Sequence, residues 1–227
     1  MIETPADTKI ATCNLPVFKL FGLQRTGTNV MQRGLVANFK VRSGERGREW
    51  KHGRIKRSAE DGLRIVICTR NPLAWLDAMF RFSLRANDRS GCKHFRKRWS
   101  FKEFCMNRHY HWPNPVLRWN VMNGQYCDWI AAHPTQGILV RSEELMGVKE
   151  QEAVFARVGA FFGWERKDEE MHTFRRRVPH AGPRLGKPMD WNYYRDEQYA
   201  AKYDEELLEF VGSWIDRDVA RRLSYSV

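Results

Sequence analysis

Arg25, Gly22 and Gly27 lie in a stretch where residue types and spacing point to chemistry. An apolar run, Val17 to Phe21, ends in a turn punctuated by these two glycines and carrying Arg25, and a helix-like pattern opens with Thr28, Asn29, Val30 and Met31. Such a turn aims several backbone N–H groups, and the positive end of the following helix, at one point in space. The ligand there should be an anion, most simply a phosphate or sulfate ester. The ordinary phosphate loop is G-x-x-x-x-G-K-[ST]. Here the glycine spacing is kept, but Thr28 and Asn29 replace the lysine and the magnesium-binding hydroxyl, and the cation has moved to Arg25. An ordinary nucleotide triphosphatase does not fit; a variant anion cradle does.

Arg25-Thr26-Gly27-Thr28-Asn29 resembles the 5′-phosphosulfate loop of sulfotransferases that use 3′-phosphoadenosine-5′-phosphosulfate (PAPS). Three further segments follow in that family's order. Leu63 to Phe80 contains a buried-strand pattern, Ile65 to Cys68, followed by Arg70-Asn71-Pro72. The resemblance implies that Arg70 grips the cofactor's 3′-phosphate. The serine that shares this task eight residues later is replaced by Ala78, leaving Ser83 or Arg81 as substitutes. Gly137 to Leu145, with Arg141-Ser142-Glu143, is similar to the family's v-R-[YF]-E-D-L strand end, and Arg141 is thereby a cofactor-binding candidate. Asp190 to Tyr199 resembles the closing loop of bacterial sulfotransferase-like proteins. The matches run from about Val17 to Tyr225. Ser142 and Val30 stand where the family has adenine-contacting aromatics.

The resemblance implies PAPS as cofactor and adenosine 3′,5′-bisphosphate as product. It makes Arg25 and the N–H groups of Thr26, Gly27, Thr28 and Asn29 the stabilisers of the leaving phosphate. It also implies a base for the acceptor. Cytosolic members carry a K-T-H segment between the two cofactor motifs; Lys51-His52 lies between the same motifs here, so His52 is the candidate base, with Lys51 beside it. A histidine's near-neutral pKa suits the role. Glu49 is the rival. His109, His111 and Cys105 match no established zinc spacing, and no metal is expected. Trp119, Trp129, Phe161, Phe162 and Trp164 read as core.

The elements that must hold these residues alternate. Strands are expected at Val17–Leu20, near Trp50, at Arg64–Cys68 and at Ile138–Val140. Helices are expected at Asn29–Asn38, Leu73–Leu84, Val116–Ala132, Glu150–Phe162 and Glu205–Trp214. Asn87–Arg98 reads as a mobile loop. This alternation predicts an α/β fold, a P-loop-containing, mainly parallel sheet flanked by helices on both faces. Ligands in such sheets sit beyond the carboxyl ends of the strands, where Gly22, Arg70 and Arg141 all fall.

At 227 residues and 42% hydrophobic, the chain is most simply one domain. Its net charge of +12 asks for an anionic partner. The basic character of 87–98, 109–115 and 175–191 points to an anionic saccharide or lipid headgroup as acceptor. No nucleic-acid motif accompanies the basic runs. Five scattered cysteines form no C-x-x-C pair, there is no signal-peptide pattern, and no stretch is apolar enough to cross a bilayer, so a cytoplasmic protein is expected. Two other function classes use the same cradle. One is a P-loop kinase or phosphotransferase. The other is a non-catalytic anion or nucleic-acid binder, for which Ala78 and Val30 speak.

Overall fold

A computed structural model describes residues 15–44, 50–56, 63–90, 99–176 and 191–226, with side chains left out for 85–90. Four parallel strands, β1 (Val17–Phe21), β2 (Arg42–Ser43), β3 (Arg64–Thr69) and β4 (Gly137–Arg141), pair in the order β2-β1-β3-β4. Helix α1 (Thr28–Asn38) connects β1 to β2, and α2 (Pro72–Ser90), α3 (Phe101–Met106) and α4 (Pro115–Ala132) lie between β3 and β4. After β4 come a 3-10 turn at Ser142–Leu145, α5 (Val148–Phe162), α6 (Trp191–Arg195), a second such turn at Gln198–Lys202, α7 (Glu205–Trp214) and α8 (Arg217–Arg222).

The sheet is buried on both sides, and the two-residue strand period sorts the core. Ile65 and Ile67 of β3 enter one apolar cluster with Trp75, Trp119 and Tyr126; Val66 and Cys68 enter the other with Leu35, Phe155 and Val158. The expected α/β class with a parallel sheet and flanking helices is thus observed. β1 leads through α1 to β2 on one side, and the chain then crosses back to β3 on the other. The crevice beyond β1 and β3 is therefore the topological switch point, the usual ligand position in open α/β sheets.

Several local expectations need correction. The strand expected near Trp50 lies instead at Arg42–Ser43, where it pairs with Val17 and Phe18. Trp50 to Gly53 is a tight turn closed by the Gly53 N–H on the Trp50 carbonyl (2.8 Å). Helix α2 continues to Ser90, so the first part of the expected 87–98 loop is helical; residues 91–98 lie outside the described residues. Phe161 is 41% exposed, because the inward stripe of α5 runs through Val154, Phe155 and Val158. A short helix, α8, follows α7 where none was expected, capped by Asp216.

His109 is fully buried between α2 and α3, edge-on to Trp75, Phe104 and Tyr110. Burial, aided by nearby Arg118, pushes its pKa down to about 3 from 6.5. The unfolded chain therefore takes up a proton below about pH 6.5 that the folded one refuses. Stability from this group is complete above that pH and falls by about 1.4 kcal/mol per unit below it, or about 2 kcal/mol at pH 5. His109→Phe, which keeps an aromatic ring there, is expected to flatten this acid limb in denaturant melts between pH 7 and pH 5. An unchanged slope would refute the assignment.

Candidate functional site

The loop from Gly22 to Gly27 is fixed by close backbone approach. A side chain at Gly22, whose φ is +149°, would place its Cβ 2.3 Å from the Cys68 carbonyl oxygen of β3. Gly27 has φ +84°, and a Cβ there would meet Leu145 at 2.9 Å. Arg25 also adopts a left-handed φ of 71°, a conformation a non-glycine residue enters at a cost of about 1 kcal/mol or more. The buried Thr26 hydroxyl donates to the Leu23 carbonyl at 2.7 Å. Two indoles hold the turn from outside: Trp75 Nε1 donates to the Gln24 carbonyl (2.8 Å) and Trp119 Nε1 to the Arg70 carbonyl (2.9 Å).

Helix α1 starts at this loop, and its N-terminus differs from those of its neighbours. Ser100, Asn114, Asp204 and Asp216 cap α3, α4, α7 and α8 with side-chain oxygens, and α5 has Glu150 in its first turn. Gly27 offers α1 no side-chain cap, and no acidic residue stands in its first turn. The positive helix end thus faces the crevice with neither a side-chain cap nor an acidic residue in its own first turn.

Arg70 comes to the same place from β3. It is 7% exposed, and its Nη1 donates to the Arg25 carbonyl at 3.0 Å, so the two sequence-distant arginines share one wall of the crevice. Its guanidinium lies 3.9 Å from the centre of the Tyr194 ring, and its buried Nε has no acceptor among the described residues. The Arg25 guanidinium lies 5.7 Å from the Phe82 ring centre.

Lys51 and His52 arrive on the opposite side, on the Trp50–Gly53 turn. The Gly22 N–H donates to the Lys51 carbonyl (3.0 Å), and Lys51 Nζ donates to Asn29 Oδ1 (2.9 Å). His52 Nδ1 lies 2.7 Å from the Gly22 carbonyl oxygen. A carbonyl only accepts, so Nδ1 carries the hydrogen and the neutral ring's lone pair sits on Nε2. The fold thus brings the Arg25–Asn29 loop, Lys51, His52 and Arg70 to one place. Glu49 lies outside the described residues.

Arg141 sits one strand further on. Its Nη1 donates to the Ser224 carbonyl (3.0 Å), and it lines a cavity of about 380 Å³ with Asn71, Glu143, Tyr194, Tyr199 and Tyr225. Glu143 joins this cavity to the Arg70 turn, accepting from the Asn71 N–H (2.9 Å) and the Tyr225 hydroxyl (3.1 Å). Ser83 is buried on α2, and its hydroxyl donates to the Phe80 carbonyl of the same helix (2.7 Å). Arg81 turns to Asp77 and the Tyr193 ring instead of the crevice.

Sequence reading missed Asp77, Tyr194, Tyr225 and Arg118. Asp77 is fully buried and accepts from the hydroxyls of Tyr193 (3.2 Å) and Tyr194 (3.1 Å), from Arg81 and from Lys202. It thereby ties α6 to α2 and sets the ring that stacks on Arg70. A lone aspartate at Ala78's neighbour was the available signal. No family model, curated protein or solved structure matches this chain.

Proposed function

We propose that the crevice binds a doubly phosphorylated adenosine and that the protein is a PAPS-dependent sulfotransferase. The carrying observation is the convergence of Arg70 and the Arg25 loop at the uncapped end of α1. The residues fit such a ligand. Arg70 Nε is a buried donor lacking an acceptor among the described residues, the glycine cradle has no room for a Cβ, and a cavity with three tyrosines adjoins the arginine turn. PAPS, when bound, supplies a sulfuryl group whose bond to the 5′-phosphate breaks as the acceptor's oxygen or nitrogen attacks in line, leaving a phosphate oxygen with the electron pair.

The chain's part is positioning and charge. Arg25 and the first N–H groups of α1 stabilise the negative charge gathering on the 5′-phosphate. Arg70, held by Tyr194 and the Arg25 carbonyl, binds the 3′-phosphate as a fork. The Gly22 carbonyl fixes the His52 tautomer, so Nε2 takes the acceptor's proton. Lys51 adds a cation beside Asn29. The acceptor reading, an anionic saccharide or lipid headgroup in a cytoplasmic setting, rests on charge alone. Among the described residues no helix is long and apolar enough to cross a membrane.

Calorimetric titration tests the reading. Adenosine 3′,5′-bisphosphate is expected to bind without magnesium, and ATP hydrolysis with magnesium to be absent. No binding of the bisphosphate would refute it; magnesium-dependent hydrolysis would instead favour a phosphotransferase.

A further inference from the structure

Arg118 is the buried charge that the proposed reaction does not use. It projects from the first turns of α4 and is 5% exposed. Among the described residues no carboxylate lies within ion-pair distance of it. Its Nη2 donates to Gln24 Oε1 of the Gly22–Gly27 loop at 3.2 Å, while the buried Nη1 has no acceptor among the described residues. Tyr110, from a backbone held at φ 56°, puts its ring 4.9 Å from the guanidinium and is also a side-chain hydrogen-bond partner of Arg118. Its other buried neighbours, Tyr126 and His109, are uncharged at neutral pH, and burial holds both in that form. A guanidinium taken from water without a counter-charge is a net cost to folding. Arg pairs with oxyanions through a planar fork, and Nη1 is the half of the fork left over.

From this we infer that Arg118 and Gln24 form a second oxyanion seat beside the nucleotide loop. It takes a sulfate-like group, either carried by an anionic acceptor or belonging to the donor itself. Tyr110, in its strained conformation, is the cover that yields when the anion enters. Tyr126, a further neighbour of Arg118, donates to the Gly53 carbonyl next to His52. The inference rests on the sulfotransfer reading for its choice of ligand, but not for the existence of the seat.

The test is a titration with inorganic sulfate of protein saturated with adenosine 3′,5′-bisphosphate and, separately, with PAPS. Wild type is expected to bind sulfate, and Arg118→Met to bind it at least about tenfold more weakly while holding the bisphosphate as tightly as wild type. Sulfate binding to both loaded forms assigns the seat to the acceptor; binding only beside the bisphosphate assigns it to the donor's sulfuryl group. Without sulfate, Arg118→Met should melt at or above the wild-type midpoint, because an unpaired buried charge is removed. Arg118→Lys keeps the charge and loses the fork, and should also lose sulfate affinity. Unchanged sulfate affinity in both variants would overturn the inference. If the bisphosphate itself does not bind, the nucleotide reading fails, and the same sulfate titration on Arg25→Ala protein still decides Arg118.

Discussion

Gly22→Ala is expected to lose about 3 kcal/mol or more of stability, which for a domain of this size lowers the melting midpoint by about 10 °C. Most glycine-to-alanine changes are mild. This one places a methyl carbon 2.3 Å from the Cys68 carbonyl and 2.7 Å from the Thr26 hydroxyl, at a φ of +149°. The first obstacle is backbone of the central strand β3, buried on both faces, so it cannot step aside as a flexible side chain would. The alternative is for the loop to move, which breaks the Gly22–Lys51 and His52–Gly22 hydrogen bonds. Denaturant melts measure the first effect and bisphosphate titration the second. A variant as stable as wild type and equally able to bind would show that the loop does not have this geometry.

Arg70→Ala is expected to weaken adenosine 3′,5′-bisphosphate by about a hundredfold or more, the loss of a bidentate charge-assisted contact. Arg70→Lys should recover little. An ammonium cannot lie flat on the Tyr194 ring and reach the Arg25 carbonyl while presenting a second nitrogen to a phosphate. Calorimetry on the three proteins, with melting curves to confirm folding, decides the matter. Equal affinities would remove Arg70 from the nucleotide site and with it the sulfotransfer reading.

The strands β1, β3 and β4 were legible because each is a short β-branched or apolar run beside a turn, and a strand buried on both faces needs no alternation. β2 was not legible. Arg42 and Ser43 have no strand signature, and what makes them a strand is the carbonyl and N–H edge that β1 offers. The Gly22–Gly27 turn was legible because glycine spacing is a backbone requirement written directly into sequence. Ser83 was named by residue type alone, and sequence gives no sign that its hydroxyl is engaged by the Phe80 carbonyl of its own helix. Asp77, Tyr194 and Arg118 left almost no local trace. Asp77 meets Tyr193, Tyr194 and Lys202 only after the chain has travelled more than a hundred residues. Arg118 is one cation among many until the fold buries it against Gln24 and Tyr110.

The rim of the 380 Å³ cavity includes Ser224, Tyr225 and Ser226, and the Tyr225 hydroxyl is engaged with both Thr69 and Glu143. Tyr225 thus fastens the last described turn to β3 and, through Glu143, to the Asn71 N–H beside Arg70, so a change at this one ring is felt by the chamber wall and by the arginine turn together.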